Sequence, residues 1–171
     1  YVALQHRETM KYNKIKLTGN KPLDRIDRGM IRLLQKDGRM PIVSLAKELE
    51  ISETTARTRL KRLTTEGTIN VVAVSNPIKL GFEITGNLKL SIDLKKKDAV
   101  LEKLKAIDQL NYVALTTGGM DIDVEFIARS LGEFKSMIFE KIYQIDGVTS
   151  SQTSLIVEIV KNTLDYGTGW D

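Results

Sequence analysis

Cysteine is missing from this sequence, and histidine occurs once, as His6. Without cysteine there is no disulfide framework, no thiolate zinc site and no thiol nucleophile. A single histidine in a polar opening stretch argues against a histidine metal cluster and against a Ser-His-Asp triad. No apolar run approaches the roughly 20 residues that a membrane-spanning helix needs, so no membrane partner is expected. No signal-peptide pattern opens the chain, whose residues 1–20 are polar and basic, and a cytoplasmic location is expected. Most enzyme chemistries are weakened by these absences, and the expectation is a non-enzyme with no metal and no cofactor.

The charge distribution carries more information. The 171 residues hold 26 Lys+Arg and 22 Asp+Glu, for a net +4. Residues 1–80 carry 16 basic and 8 acidic side chains, a net +8, whereas 81–171 carry 10 and 14, a net −4. A basic half joined to an acidic half suggests two jobs, the first with a polyanion partner. The length allows one domain or two small ones at about 100–200 residues per domain. Part of the positive charge lies in a basic leader, residues 1–20, read as a loose terminus or as an arm touching DNA.

Helical patterning starts at Leu23. Asp24 is a good N-cap, and Asp27 lies in the first turn, where the helix dipole favours negative charge. Ile26, Met30, Leu33 and Leu34 recur at helical spacing, and Asp37-Gly38 is a stop. Gly29 is out of place in a helix interior, where it costs about 1 kcal/mol relative to Ala. A second short helix follows Pro41, with Ile42, Leu45, Ala46 and Leu49 as its stripe. After only Glu50, Ile51 and Ser52, a third helix runs from Glu53 to Glu66. Two short helices joined by about three residues make a helix-turn-helix pattern.

On the third helix Ala56, Leu60 and Leu63 share one face, while Thr54, Thr58, Lys61 and Thr65 point the opposite way. Base edges are read by short polar side chains and bidentate cations, and long cations hold phosphates. Thr54, Thr55, Arg57 and Thr58 suit base reading. Ser52, Arg59, Lys61 and Arg62 suit phosphate. A solvated basic face is the plain alternative. Residues 68–74 (TINVVAV) read as a strand or one side of a wing, and residues 75–82, with Asn76-Pro77, as a linker.

The second half reads strand, helix, strand, strand, helix, strand. The strands are residues 83–92, 112–117, 121–129 and 148–161, and the helices start near Lys96 and after Ser130. This βαββαβ order is the ferredoxin-like arrangement, an antiparallel sheet with both helices on one face. The open face is expected to take a cover, and a second copy is the obvious candidate. The fold class is therefore α+β. A winged helix-turn-helix domain over 21–74 precedes a ferredoxin-like domain over 83–162 and a tail over 163–171.

The ordered set of motifs resembles the leucine-responsive/AsnC (Lrp/AsnC) family of bacterial and archaeal transcription regulators. The resemblance rests on Leu23, Asp24, Asp27 and Asp37-Gly38-Arg39, then Leu45-Ala46, then Ser52, Arg59, Leu63 and Gly67-Thr68-Ile69. It continues through Pro77, Leu80-Gly81, Gly118-Gly119-Met120-Asp121, Gly147-Val148 and Thr153. Two departures stand out: Glu50 occupies a turn position that is usually Gly, and Ala56 is smaller than the usual Val or Ile.

The resemblance implies a DNA-binding regulator acting on double-stranded DNA. It also implies a homodimer, extending to a tetramer or octamer, and an amino-acid-like effector bound between subunits. The effector candidates are Gly118 and Gly119, whose N–H groups can meet a carboxylate, and Asp121 and Asp123, which can take an ammonium. The hydroxyls of Thr149, Ser150, Ser151 and Thr153 complete the set. The runner-up reading is a nucleoid-type architectural protein with little sequence preference. A metal site on the two aspartates lacks further ligands, and RNA binding on the sheet finds only Tyr112 and Phe126 as aromatics on the central strands, with Phe126 in the apolar stripe.

Overall fold

The computed structural model describes residues 22–161, which divide between Ala73 and Val74 into two compact units. The leader and tail lie outside the described residues.

The first unit is three helices: α1 (Arg25–Lys36), α2 (Ile42–Glu48) and α3 (Glu53–Thr65). Asp24 caps α1 by accepting from the Asp27 backbone N–H at 2.8 Å, and Asp27 returns the bond to the Asp24 N–H. This reciprocal box satisfies two otherwise orphan donors at the helix start. Met30, Ile31, Leu45, Ala46, Ala56 and Leu63 form the buried core, with Leu60 and Ile69 packed against it. Gly29 has a packing reason. A Cβ there would stand 2.7 Å from Leu49 Cδ2, so the glycine leaves room for the Leu49 side chain at the end of α2. Pro41 stands at the N-cap of α2, one position earlier than a first-turn residue.

The turn between α2 and α3 keeps the geometry that a glycine would favour, with Glu50 at φ 54°. The Ile51 N–H reaches back to the Ala46 carbonyl at 3.0 Å, which holds that turn in place. Ser52 then caps α3 through the Thr55 N–H at 3.1 Å. Residues 68–74 form no strand, which corrects the wing. Their Val-rich pattern has the right side chains for a strand, but a ladder also needs a partner backbone. None is supplied among the described residues.

The second unit follows the expected order: β1 (Ile84–Ile92), α4 (Lys97–Lys105), β2 (Leu110–Leu115), β3 (Ile122–Ala128), α5 (Leu131–Ser136) and β4 (Val148–Leu155). The chain continues from α5 through Met137–Ile142 in wider π-type turns. All pairings are antiparallel, in the order β2-β3-β1-β4. Leu88, Leu90 and Ile92 of β1 and Ile122, Val124 and Phe126 of β3 point inward. There they meet Val100, Leu104, Met137, Ile138 and Ile142 from the helical layer.

The opposite sheet face carries Asn87, Lys89, Tyr112, Glu125, Gln152 and Ser154, all exposed. An antiparallel sheet can leave such a face in water, so burial alone does not demand a cover there. β4 stops at Leu155 rather than near Lys161. The Ile156 N–H makes a last bond to the Thr85 carbonyl at 2.9 Å, and β1 has by then run out.

The left-handed Glu50 gives a direct stability test. A non-Gly residue there carries a steric penalty of about 1–2 kcal/mol, partly offset because Gly gains freedom in the unfolded chain. Glu50→Gly is expected to raise the unfolding free energy by up to about 1 kcal/mol in urea denaturation. Unchanged or lower stability would show that the turn is not strained at this residue.

Candidate nucleic-acid interface and effector site

α3 owes its presentation to charge as well as to packing. Asp27, one turn into α1, has a side chain that is 1% exposed. Its two oxygens are shared between two guanidiniums from α3, with Arg59 Nη1 at 2.9 Å from Oδ1 and Arg62 Nη2 at 2.5 Å from Oδ2. Arg59 Nη1 also lies 2.6 Å from Asp24 Oδ2. Arg59 and Arg62 stand three residues apart, so both reach the same point on α1.

Burial pushes the Asp27 carboxyl up, but the hydrogen bonds from Arg62 and Arg59 outweigh it, and its pKa lies below the ordinary carboxylate value. Asp24 is held low first by the Asp27 backbone N–H and then by Arg59. Arg59 is raised by its bonds to Asp24 and Asp27, and Arg62 by its bond to Asp27.

The eight residues expected to meet DNA therefore fall into three groups. Arg59 and Arg62 are half-buried and turned toward α1, in ion pairs rather than outward. Ser52 and Thr55 face each other, with their hydroxyl oxygens 2.8 Å apart, and the Thr58 hydroxyl donates to the Thr54 carbonyl at 2.9 Å. Arg57 and Lys61 are exposed, and among the described residues neither has an ion-pair partner. Thr54, Thr55 and Thr58 line a shallow recess of about 390 Å³ together with Asp24, Arg59 and Arg62.

The effector candidates are likewise divided. Thr149, Ser150 and Ser151 line a concavity of about 300 Å³ with Val148 and Tyr143. Tyr143 was not among the expected residues. Its hydroxyl lies 2.8 Å from the Ser151 hydroxyl oxygen, a pairing across the helix-to-β4 connection that leaves no local sequence signal. Thr153 lies further along β4, opposite Leu88, and outside that lining.

Gly118, Gly119, Asp121 and Asp123 lie on the β2–β3 side of β1, away from this concavity. Gly118 has φ 126°, a value that suits only glycine. Asp121 accepts from the Ile92 backbone N–H at 2.9 Å through Oδ2, while its own N–H donates to the Leu90 carbonyl at 2.9 Å. The Ser91 hydroxyl meets Met120 Sδ at 3.2 Å. Asp121 thus extends the β1–β3 ladder where β1 slips register against β4, between Ser91 and Ile92. Asp123 sits on the open sheet face, opposite Lys89 and Ala114. Among the described residues no group of three or more His, Cys, Asp or Glu is placed to hold a metal, and no helix is long and apolar enough to cross a membrane.

The carboxylate–guanidinium cluster sets an acid limit on the first unit. Both carboxyls are lowered, so the stability they supply is complete above the unfolded carboxylate pKa of about 3.9. It is lost as pH falls through the lowered folded values. Asp27→Ala leaves two guanidiniums without their shared acceptor and is expected to cost about 2–3 kcal/mol near pH 7. The deficit should shrink toward about pH 3, as read by urea unfolding. A deficit that stays the same at both pH values would mean that packing, not charge, accounts for the loss.

Comparison with known proteins agrees with this architecture. The AsnC-type helix-turn-helix domain family matches residues 23–64, and the Lrp/AsnC ligand binding domain family matches residues 88–165. An HTH-type transcriptional regulator of Pyrococcus abyssi, itself uncharacterized, is 36% identical over 140 residues, covering 81% of this chain and 89% of that protein. The regulator Ptr1 of Methanocaldococcus jannaschii is 36% identical over 141 residues, covering 82% and 95%. Among solved structures, E. coli AsnC superposes with a TM-score of 0.76 at 23% identity, covering 84% of this chain and 97% of AsnC. A Neisseria meningitidis transcriptional regulator in complex with L-Met gives 0.75 at 20% identity, covering 84% and 95%. These two structures speak for the fold. The sequence relatives, with both family matches, show that the chain belongs to the Lrp/AsnC family of transcription regulators, with a helix-turn-helix domain followed by a ligand-binding domain.

Proposed function

We propose that the chain is a sequence-specific DNA-binding regulator whose DNA binding or assembly responds to an amino-acid-like small molecule. The observation that carries the DNA reading is α3 itself, capped by Ser52 and braced against α1 through Asp27. It keeps Thr54 and Arg57 exposed near its N-terminal end, with Lys61 one turn on. A helix presented in this way suits a major groove, and two copies would read half-sites one helical turn or a multiple apart. Arg57 and the threonines take base edges, and Lys61 takes phosphate. Arg59 and Arg62 act mainly on α1.

Support for the effector comes from the polar concavity at the start of β4 and from the ligand-binding domain match. The L-Met complex of a structural relative supports an amino acid as the chemical class. Hydroxyls from Thr149, Ser150 and Ser151 bind one part of the ligand. The Gly118-Gly119 turn of a second copy supplies N–H groups for its carboxylate. Self-association into dimers or larger assemblies completes the pocket. The role of Asp121 is to hold the turn against β1, since its carboxylate is already engaged by the Ile92 N–H.

Binding to a site selected from random DNA is expected to weaken steeply with salt. Arg57→Ala and Thr58→Ala should flatten sequence preference, and Lys61→Ala should weaken all sequences alike, with the salt slope reduced by about 0.9. Uniform losses from all three would remove the division of roles, and equal affinity for random DNA would favour the architectural reading. For the effector, calorimetry with a panel of the common amino acids tests the class. Asp121→Asn keeps an acceptor for the Ile92 N–H and should bind like the parent, while Asp121→Ala should bind less. Equal loss from both would place the carboxylate charge on the ligand.

A further inference from the structure

Arg59 stands at the recess that the threonines of α3 line, yet it meets two carboxylates there. The two acids differ. Asp27 is 1% exposed and lies beneath the helix interface, whereas the Asp24 side chain is 52% exposed. Asp24 is also held in place, because Oδ1 accepts the Asp27 N–H at 2.8 Å while Oδ2 meets Arg59 Nη1 at 2.6 Å. The charged groups of the recess are thus two guanidiniums, Arg59 and Arg62, against Asp24 and the underlying Asp27, which sum to no net charge.

A phosphate oxygen approaching Arg59 meets a guanidinium whose Nη1 is already taken, beside an exposed carboxylate that repels it. Phosphate attraction is the part of DNA binding that ignores sequence. A group that cancels it at the recess lowers affinity for every duplex without touching the base-edge contacts of the outward side chains.

We propose that Asp24 is a specificity-determining residue: it withholds Arg59 from DNA phosphate and so suppresses binding to non-cognate sequence. This rests on the assignment of α3 as the DNA-reading helix. Asn is as good an N-cap as Asp, so Asp24→Asn removes the charge and keeps the cap.

The test measures log Kobs against log salt concentration for the full chain and three variants, Asp24→Asn, Arg59→Met and the double variant. Random-sequence duplex and a duplex selected as the tightest from a random pool serve as probes, and urea unfolding checks each fold. Asp24→Asn is expected to steepen the slope on random duplex by about 0.9, an extra loss of about 3.5-fold between about 50 and 200 mM salt. It should also narrow the preference for the selected duplex. Arg59→Met alone should keep the parent slope, and the double variant should return to it. An Asp24→Asn slope equal to the parent's overturns the proposal. So does a gain that persists without Arg59, or a parent slope that already falls with Arg59→Met. A parent chain that binds neither duplex overturns the reading of α3 as well, which separates the two failures.

Discussion

The buried carboxylate of Asp27 is the contact on which the presentation of α3 depends. A charge placed under a helix interface is tolerated only when it is paired and hydrogen-bonded. Here both oxygens are taken by Arg59 and Arg62, and no buried side-chain polar atom among the described residues lacks a partner. An ion pair of this kind adds little net stability over an apolar contact of the same shape. What it does is fix a relation. Packing of Met30, Ala56 and Leu63 seats α3 on the core, and two guanidiniums on one carboxylate add directional contacts that turn its Arg59–Arg62 side toward α1. The same bonds that join α3 to α1 decide which of its cations face outward.

That constraint changes the meaning of the charge distribution. The basic first half places four cations on α3, and their number alone suggests a uniformly phosphate-seeking helix. Two of the four are neutralised by acids of α1, leaving Arg57 and Lys61 as the outward cations. The net charge of the half is unchanged, so long-range steering toward a polyanion survives. The short-range contacts, which depend on individual donors, become fewer and more selective.

Much of this was legible in the sequence where the cause is local. Asp24 caps α1 because its neighbour three residues on supplies the N–H, and Ser52 caps α3 for the same reason. The alternation Ile122, Val124, Phe126, Ala128 dictates a half-buried strand, and the βαββαβ order follows from such periods read in turn. What was not legible is set by distant partners. Arg59 and Asp27 are 32 residues apart in sequence, and Asp121 and Ile92 are 29 apart. Residue type made Arg59 a phosphate contact and Asp121 a ligand for an ammonium; the helical angle that sets Arg59 nearer the apolar seam than Arg57 does not by itself name an acid on another helix. The strand expected over residues 68–74 failed for the complementary reason: its pattern was right, but a ladder needs a second backbone.

The second unit uses the same logic on its own sheet. Asp121 gives up one face of its carboxylate to the Ile92 N–H at the point where β1 changes register against β4. Beyond that point Ile92 pairs with Val148, and the Asp93 N–H bonds the Gly147 carbonyl at 2.8 Å, so the start of β4 is set by the same short stretch of β1. The glycine turn lies on one side of this stretch and the hydroxyl-lined concavity on the other. Backbone at such a shift is held by fewer ladder bonds than regular strand, and the Asp121 carboxylate supplies one there through the Ile92 N–H. Asp121 thus ties the strand that follows the glycine turn to the stretch of β1 that also sets the start of β4. An acceptor of the right shape, rather than a negative charge, is what the Ile92 N–H requires.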